Sequence, residues 1–180
     1  MAGTLPVVVV ANVPERLAAL FDLHHARLYR LARRLSSSPD DALDLVQETF
    51  LRAARFPKSI PTGFRDEEAW LVRVLINIRR DQWRKRSVQD RHDKAYRARE
   101  PLSRGEEPES ALIVKTAVWQ ALDHLPPRRR AIVVMYELEG LAIPAISSLL
   151  GVNAVTVRWH LSRGRRELAT ALKDYLGERP

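Results

Sequence analysis

The stretch IPAISSLLGVNAVTVRWHLSRGRRELATAL, residues 143–172, has the spacing of two helices joined by a tight turn. Pro144 suits the first turn of a helix, and Gly151 can adopt the left-handed conformation that ends one. Asn153 can then cap the following helix with its side chain. The pattern therefore predicts a short helix, a turn at the glycine and a long helix that reaches about Leu176.

The long helix is expected to have one face for packing and one for a partner. A recognition helix in the major groove of DNA needs this division, although a surface helix with a solvated basic face has it too. The packing side consists of Val157, Leu161, Gly164, Leu168 and Leu172, and the opposite side of Val155, Arg158, Trp159, Ser162, Arg163 and Arg166.

The basic residues of this helix are expected to divide between two kinds of contact. Arg158, with Trp159 beside it, is the candidate for reading base edges. Arg163, Arg165 and Arg166 are expected to contact phosphates, which position a protein on DNA but carry no sequence information.

The charge of the chain is concentrated in two basic blocks. The net charge is +8, from 30 Lys and Arg against 22 Asp and Glu, and the isoelectric point is about 10.4. Residues 79–99 carry nine basic and three acidic side chains, and residues 151–173 carry five and one. Such blocks favour a nucleic-acid partner. Residues 36–50 reverse the sign, with four acidic and no basic side chains.

The composition excludes several classes of protein. The chain has 180 residues and no cysteine, so disulfides, thiolate metal sites and cysteine nucleophiles are absent. Its five histidines are scattered without metal-ligand spacing, and we expect no catalytic residue, no metal and no cofactor. No apolar run approaches the roughly 20 residues of a membrane span. We expect a soluble cytoplasmic protein that is not inserted in a membrane.

Helical spacing without sustained strand alternation predicts an all-α fold of two small helical domains joined by a flexible linker. The expected divisions are a tail at 1–14, a first domain at 15–89, a linker at 90–109 and a second domain at 110–180. Besides the helices described above, the expected helices are 15–35, 41–56, 66–86, 111–125 and 128–139.

The second helix is expected to carry a protein-docking face. Its predicted core face is Leu43, Val46, Phe50 and Ala53, and another face groups Asp41, Asp44, Leu45 and Glu48. Acidic side chains beside exposed apolar groups suit a basic protein partner. A solvated acidic face is the simpler alternative.

The third helix is expected to present arginines and an amide to nucleic acid. Arg73, Asn77, Arg80 and Arg84 recur at spacings of four, three and four, which places them on one face, with Trp83 on its flank. Arginine, amide and aromatic side chains suit a single strand whose bases are splayed out and stacked.

Four motifs resemble bacterial RNA polymerase sigma factors. DALDLVQETFLRA at 41–53 resembles their helix that binds core polymerase, and residues 70–85 resemble their −10 element helix. Residues 125–130 and 150–168 resemble their −35 element domain. Only these two domains and a short linker are present, which is similar to the extracytoplasmic-function (ECF) group.

The resemblance implies a specificity subunit that is not an enzyme and that binds core RNA polymerase, promoter DNA and an anti-sigma factor. Polymerase contacts would come from Asp41, Asp44, Leu45, Val46, Gln47, Glu48 and Phe50. Contacts to −10 DNA would come from Lys58, Ser59, Phe64, Arg73, Asn77, Arg80, Asp81, Trp83, Arg84 and Lys85. Contacts to −35 DNA would come from Asn153, Val155, Thr156, Arg158, Trp159, His160, Ser162, Arg163 and Arg166.

Finer roles follow from the same resemblance. The loop 58–64, together with Asn77, would pocket a base flipped from the −10 strand, and residues 125–135 would help to form the surface for the polymerase flap tip. Trp159 and His160 depart from the family pattern, which leaves the −35 sequence open.

Two other functions remain open at this point. The chain could be a helix-turn-helix regulator that acts without being a polymerase subunit, its first domain serving as a sensor or dimerisation unit. Asp40-Asp41-Ala42-Leu43-Asp44 also spells the aspartate-rich motif of all-α prenyl diphosphate enzymes, in which carboxylates hold magnesium. That chemistry needs a second metal motif, which the sequence lacks.

Overall fold

A computed structural model describes residues 13–94 and 110–177, and within these ranges every regular element is helical. Seven α-helices fall into two groups, which confirms the all-α fold of two helical units. The bounds are α1 Val13–Leu35, α2 Pro39–Arg55, α3 Phe64–Lys94, α4 Ser110–Asp123, α5 Pro127–Val133, α6 Ile143–Leu150 and α7 Ala154–Gly177. A 3₁₀ turn, Pro57–Ser59, follows α2, and a π-helical turn, Val134–Leu138, follows α5.

The first unit packs α1, α2 and α3 around one apolar core. Ser38 caps α2, because its Oγ accepts a hydrogen bond from the backbone N–H of Asp41 at 3.0 Å. Arg79 on α3 is buried and donates from Nε to the backbone oxygen of Leu35 at 2.9 Å, which ties α3 to the end of α1. The most deeply buried apolar side chains of this unit are Leu28, Leu31, Leu35, Leu45, Leu71, Val72 and Leu75.

The second unit packs α4 to α7 around a second group of buried side chains. Pro127 opens α5, where a missing N–H is harmless. Gly164 on α7 lies so close to α5 that an added Cβ would meet Cγ2 of Val133 at 2.6 Å. The core side chains here include Ile132, Val134, Met135, Ile146, Val157 and Leu161.

Several element boundaries differ from the sequence prediction. Helix α3 continues to Lys94 rather than ending near residue 86, because Arg, Gln and Lys are good helix formers even without an apolar stripe. The predicted helix 128–139 is α-helical only to Val133 and then forms the π-helical turn. The expected tail and linker overlap the described part of the chain only at residues 13–14 and 90–94, both of which are helical; the rest of each lies outside it.

None of the helices in the described ranges is both long enough and apolar enough to cross a membrane.

Candidate functional site

The turn between α6 and α7 has the predicted helix-turn-helix geometry. Gly151 adopts the left-handed conformation at φ 63° and ψ 37°, and the N–H of Val152 donates back to the oxygen of Ser147 at 3.1 Å. Asn153 caps α7, because its Oδ1 accepts the N–H of Thr156 at 2.7 Å. This capping hydrogen bond therefore fixes the residue at which α7 begins.

One face of α7 is open to solvent over three turns. Val155 is 71% exposed and Trp159 is 53% exposed, which is unusual for large apolar side chains without a partner. Arg158, Ser162, Arg163 and Arg166 are also exposed. The predicted packing residues lie on the opposite side, where Val157, Leu161 and Gly164 are buried and Leu168 and Leu172 are half-buried.

Two arginines of α7 are held by glutamates of the same unit. Arg163 Nε donates to Glu167 Oε1 at 3.1 Å. Arg165 Nε donates to Glu137 Oε1 at 2.6 Å, and this hydrogen bond raises the pKa of Arg165. The Arg165 guanidinium also lies 5.2 Å from the ring centre of Tyr136. Arg165 therefore contacts residues of the π-helical turn. This position differs from the phosphate contact predicted for it together with Arg163 and Arg166.

His160 lies at the edge of this face rather than at its centre. It is partly buried, its ring contacts Trp159 edge-on, and Arg128 and Arg129 flank it. Burial, and next the charges of Arg129 and Arg128, lower the pKa of His160 below its usual 6.5. This shift favours the neutral imidazole in the free chain, and the predicted contact of His160 with −35 DNA stays a prediction.

On α3 the predicted DNA face is partly occupied by the second unit. Arg73 donates from Nη1 to the backbone oxygen of Leu149 at 3.3 Å, while Asn77, Arg80 and Trp83 are half-buried. Asp81, Arg84 and Lys85 are exposed at the far end of the same helix.

The middle of the loop before α3 is hydrogen-bonded to α1, whereas residues on either side of it are exposed to solvent. Arg16 donates to the backbone oxygens of Ile60 and Pro61 at 3.0 and 2.9 Å. Lys58 and Ser59 are exposed. Phe64 is 54% exposed, and its ring stacks on the buried ring of His24 with centres 5.0 Å apart.

Phe64 and Asn77 do not line one pocket. They lie on the same helix and are 13 residues apart, which is about 20 Å at 1.5 Å per residue. A single flipped base would not contact both of these side chains, and the predicted pocket of Asn77 with the other residues of the loop stays a prediction.

A groove between α2 and α3 collects three of the seven predicted polymerase contacts, Asp44, Gln47 and Glu48. It has a volume of about 710 Å³, and acidic and amide side chains of α2 form one wall. Asp81 and Lys85, predicted to contact DNA, form part of the other wall. The lining residues are Asp44, Gln47, Glu48, Leu51, Arg52, Ile78, Asp81, Gln82 and Lys85.

An apolar groove of about 390 Å³ adjoins the acidic one and shares Gln47 and Leu51 with it. It lies between α1 and α2, and its lining comprises Phe21, His25, Leu43, Val46, Gln47, Phe50 and Leu51. Phe21 and Leu51 are lining residues that the sequence pattern did not predict for the site. Each is a large apolar side chain on a helix that already has enough other apolar residues to form its core face. That excess of apolar residues is the signal that could have identified them.

Two leucines of α2, Leu43 and Leu45, have the opposite burial to the one predicted. Leu43, predicted in the core, is 49% exposed. Leu45, predicted at the docking face, is fully buried, and Val46 is 2% exposed. These two side chains support the docking face from below. Asp41 is half-buried at the capped start of the helix.

The second unit has an apolar pocket of its own. Its volume is about 300 Å³, and helices α4, α5 and α7 and the π-helical turn form its walls. The lining residues are Val118, Trp119, Leu122, Val133, Val134, Glu137, Leu138, Leu168 and Leu172.

No group of three His, Asp or Glu side chains within residues 13–94 and 110–177 could hold a metal ion. Asp40, Asp41 and Asp44 therefore do not form a magnesium site there.

Comparison with known proteins gives two family matches in the expected order. Residues 20–89 match sigma-70 region 2, and residues 115–168 match sigma-70 region 4. The ECF RNA polymerase sigma factor SigE of Mycolicibacterium smegmatis is 37% identical over 161 residues, which is 86% of this chain and 59% of SigE. SigM of Mycobacterium tuberculosis is 34% identical over 163 residues, covering 85% of this chain and 75% of SigM.

Solved structures with the same fold include two proteins in complexes. RpoE of Bartonella quintana, solved with the anti-sigma factor NepR, matches with a TM-score of 0.60 at 23% identity, over 92% of this chain and 99% of that one. CnrH, solved with the cytosolic domain of CnrY, matches with a TM-score of 0.57 at 23% identity, over 91% of each chain.

These matches confirm the resemblance that four sequence motifs indicated, and they lend no support to a free-standing regulator or a prenyl diphosphate enzyme. The chain belongs to the ECF RNA polymerase sigma factors, which direct promoter-specific transcription.

Proposed function

We propose that the two adjoining grooves of α1 and α2 are the surface by which this chain binds core RNA polymerase. The observation that carries the proposal is the shared edge at Gln47 and Leu51, which joins an acidic groove to an apolar one. An apolar centre with a charged rim is the usual anatomy of a specific protein interface. By family resemblance, the partner is the pair of clamp helices of the largest polymerase subunit.

The exposed apolar side chains give this surface its anchors. Phe21, Leu43 and Leu51 are each more than two-fifths exposed around one groove. Asp44, Gln47 and Glu48 would orient the partner through hydrogen bonds and charge. Polymerase would supply all catalysis, and this chain would supply promoter choice as a non-enzymatic subunit in the cytoplasm.

We assign recognition of the −10 element to the loop before α3 and to α3 itself. Since Phe64 and Asn77 lie about 20 Å apart along α3, they would contact different nucleotides of one melted strand. Phe64 offers an exposed ring for stacking a base, supported from behind by His24. Arg80, Arg84 and Lys85 would hold the adjoining backbone. Base–aromatic stacking contributes about 1–3 kcal/mol per base, which offsets the cost of unstacking.

We assign recognition of the −35 element to the open face of α7. Arg158 would read a guanine edge, and Val155 would contact a thymine methyl in the major groove. Trp159 would lie on the flanking backbone, held by Arg129, whose guanidinium is 5.7 Å from its ring centre. Arg163 and Arg166 would contact phosphates.

Two further partners fit the second unit. The apolar pocket lined by Trp119, Val134 and Leu168 would receive the polymerase flap tip, because it is open, apolar and on the side of α7 opposite the DNA face. An anti-sigma factor is the expected regulator, and the same grooves would be its targets, since covering them would exclude polymerase.

The docking proposal is tested by a matched pair of leucine substitutions. Leu43 lines the apolar groove, whereas Leu23 is on α1 outside both grooves and is 55% exposed. Leu43→Asp should weaken binding to purified bacterial core polymerase by at least tenfold, whereas Leu23→Asp should leave it unchanged. Run-off transcription on a promoter library should fall in parallel. Equal binding by both variants would refute the docking surface.

A further inference from the structure

The exposed indole of Trp159 on α7 is in contact with an arginine of another helix. Arg129, on α5, has its guanidinium over the Trp159 ring, 5.7 Å from the ring centre. The ring of His160 meets the indole edge-on, with centres 4.8 Å apart, while Trp159 as a whole stays 53% exposed. A cation is attracted to an aromatic face, and most strongly to that of tryptophan. Arg129 and His160 therefore limit the orientations that the indole can adopt.

A glutamate of α7 holds Arg129 in this place. Nη1 of Arg129 donates to Oε2 of Glu167, and the side chain of Arg129 is only 12% exposed. The other oxygen of the same carboxylate, Oε1, accepts a hydrogen bond from Nε of Arg163 at 3.1 Å. A partly buried ion pair is screened by salt much less than an exposed one. Glu167 therefore anchors the charged end of the Arg129 side chain beside Trp159.

The aliphatic stem of Arg129 passes α7 where that helix has no side chain. A Cβ added to Gly164 would lie 3.2 Å from Cγ of Arg129 and 3.5 Å from its Cδ. Gly164 comes between Trp159 and Glu167 along α7, so the stem lies over the gap between the two partners of the guanidinium. The packing of α5 on α7 therefore determines where the guanidinium lies.

Support of this kind bears on DNA binding because an exposed side chain loses its freedom when a partner covers it. That loss lowers affinity, and a side chain that is already held in its bound orientation avoids it. Trp159 is adjacent to Arg158, which we assign to a guanine edge, so the orientation of the indole also affects the register of α7 on the duplex. Arg129 should thus matter for −35 recognition although its own charge is already paired with Glu167.

We propose that Arg129 is a positioning residue for recognition of the −35 element and that it acts through the indole of Trp159. The inference rests on the proposed function, since it concerns how the open face of α7 meets DNA. Glu167 and the gap at Gly164 fix the guanidinium, and the guanidinium fixes the indole before DNA arrives. The competing role is a direct phosphate contact by Arg129, which predicts a different dependence on salt.

The first measurement is the mobility of the Trp159 indole in the free, full-length chain. The relaxation of its ¹⁵N-labelled indole N–H reports that mobility, and Trp159→Phe identifies its signal among those of the four tryptophans. Arg129→Gln keeps the Cγ and Cδ that pack over Gly164 but removes the guanidinium. The order parameter should fall from about 0.85, a rigid value, to below about 0.6. Arg129→Lys should retain most of the rigidity, because it keeps a cation. An unchanged order parameter in Arg129→Gln would overturn the inference.

Two further variants test the anchor and the effect of charge. Glu167→Gln leaves Arg129 intact but weakens its anchor, so the order parameter should take an intermediate value; no change would remove Glu167 from the arrangement. Lys173→Gln removes one positive charge at an exposed position of the same helix and should leave the Trp159 signal as it is. Equal loosening by Lys173→Gln and Arg129→Gln would refute a specific contact. Circular dichroism verifies that each variant is folded.

The second measurement is a double-mutant cycle on promoter complexes formed with core polymerase. Arg129→Gln should weaken promoter binding by about threefold to fivefold, and it should have little effect when Trp159→Ala has already removed the indole. The salt slope should stay the same, whereas loss of a phosphate contact would reduce it by about 0.9. Additive losses, or a reduced slope, would overturn the positioning role. If Trp159→Ala bound promoters like the wild type, the proposed function of Trp159 would fail, while the relaxation measurement would still test its contact with Arg129.

Discussion

Gly164 on α7 and Val133 on α5 are so close that a Cβ on the glycine would lie 2.6 Å from Cγ2 of the valine. Val133 is buried and Arg129 crowds the same spot at 3.2 Å. The absence of a side chain at Gly164 therefore sets how closely the proposed DNA-reading helix packs on its support.

Gly164→Ala should destabilise the second unit. Alanine favours a helix over glycine by about 1 kcal/mol, but overpacking a filled core costs about 1–3 kcal/mol. A 2.6 Å contact with a buried methyl group puts the cost at the upper end, so we expect a net loss of about 1–2 kcal/mol. Urea unfolding measures it. The control is Ser162→Ala, on the exposed face two residues away, which should change the free energy of unfolding little. A more stable Gly164→Ala protein would mean that α5 and α7 can move apart to accommodate the methyl group.

The fold was predictable from local chemistry where single residues dictate backbone shape. Gly151 and Asn153 predicted the turn of the helix-turn-helix and the start of α7. Few residue types adopt the left-handed conformation or cap a helix with their side chain, so each of these residues is a specific signal. The end of α3 was not predictable from its apolar pattern, since its last turns, up to Lys94, rely on helix propensity alone.

The candidate site was predictable at the level of helix faces but not of individual side chains. A spacing of three or four residues fits two apolar stripes on α2, one through Leu43 and one through Leu45, and it cannot show which of them faces the core. The two leucines differ in burial because α1 and α3 cover only part of α2. Contacts between units were equally invisible: nothing local indicates that Arg73 meets Leu149 or that Glu139 meets Arg27. Such contacts depend on tertiary packing, which periodicity does not encode.

Arg158→Ala and Arg166→Ala should separate base reading from phosphate binding. Loss of a base contact should cost about 1–3 kcal/mol and relax preference at one −35 position. Loss of a phosphate contact should weaken all sequences alike and reduce the salt slope by about 0.9. Both measurements require complexes with core polymerase, titrated on variant promoters at several salt concentrations. An identical specificity profile for Arg158→Ala and the wild type would remove Arg158 from base reading.

His160 should make the stability of the second unit depend on pH. Burial and neighbouring arginines lower its pKa in the folded chain below the ordinary 6.5, so the unfolded chain binds a proton more readily. Its contribution is complete above about pH 6.5 and is lost as the pH falls through that value toward the folded pKa. His160→Gln should show a shallower decline in unfolding free energy between pH 7.5 and 5.5. Parallel curves for the two proteins would mean that the folded and unfolded pKa values are equal.

Arg79→Ala should damage the fold of the first unit rather than its DNA contacts. Arg79 directly precedes Arg80 of the predicted DNA face, yet it is buried and donates to the backbone oxygen of Leu35. Removing the donor leaves a buried carbonyl without this bond, which costs about 1–3 kcal/mol. Arg65, exposed in the first turn of the same helix, provides the control, and Arg65→Ala should stay within about 0.5 kcal/mol of the wild type. Thermal unfolding and promoter binding are measured on both variants. If Arg79→Ala kept full stability and lost promoter binding, Arg79 would belong to the DNA face that its charge suggests.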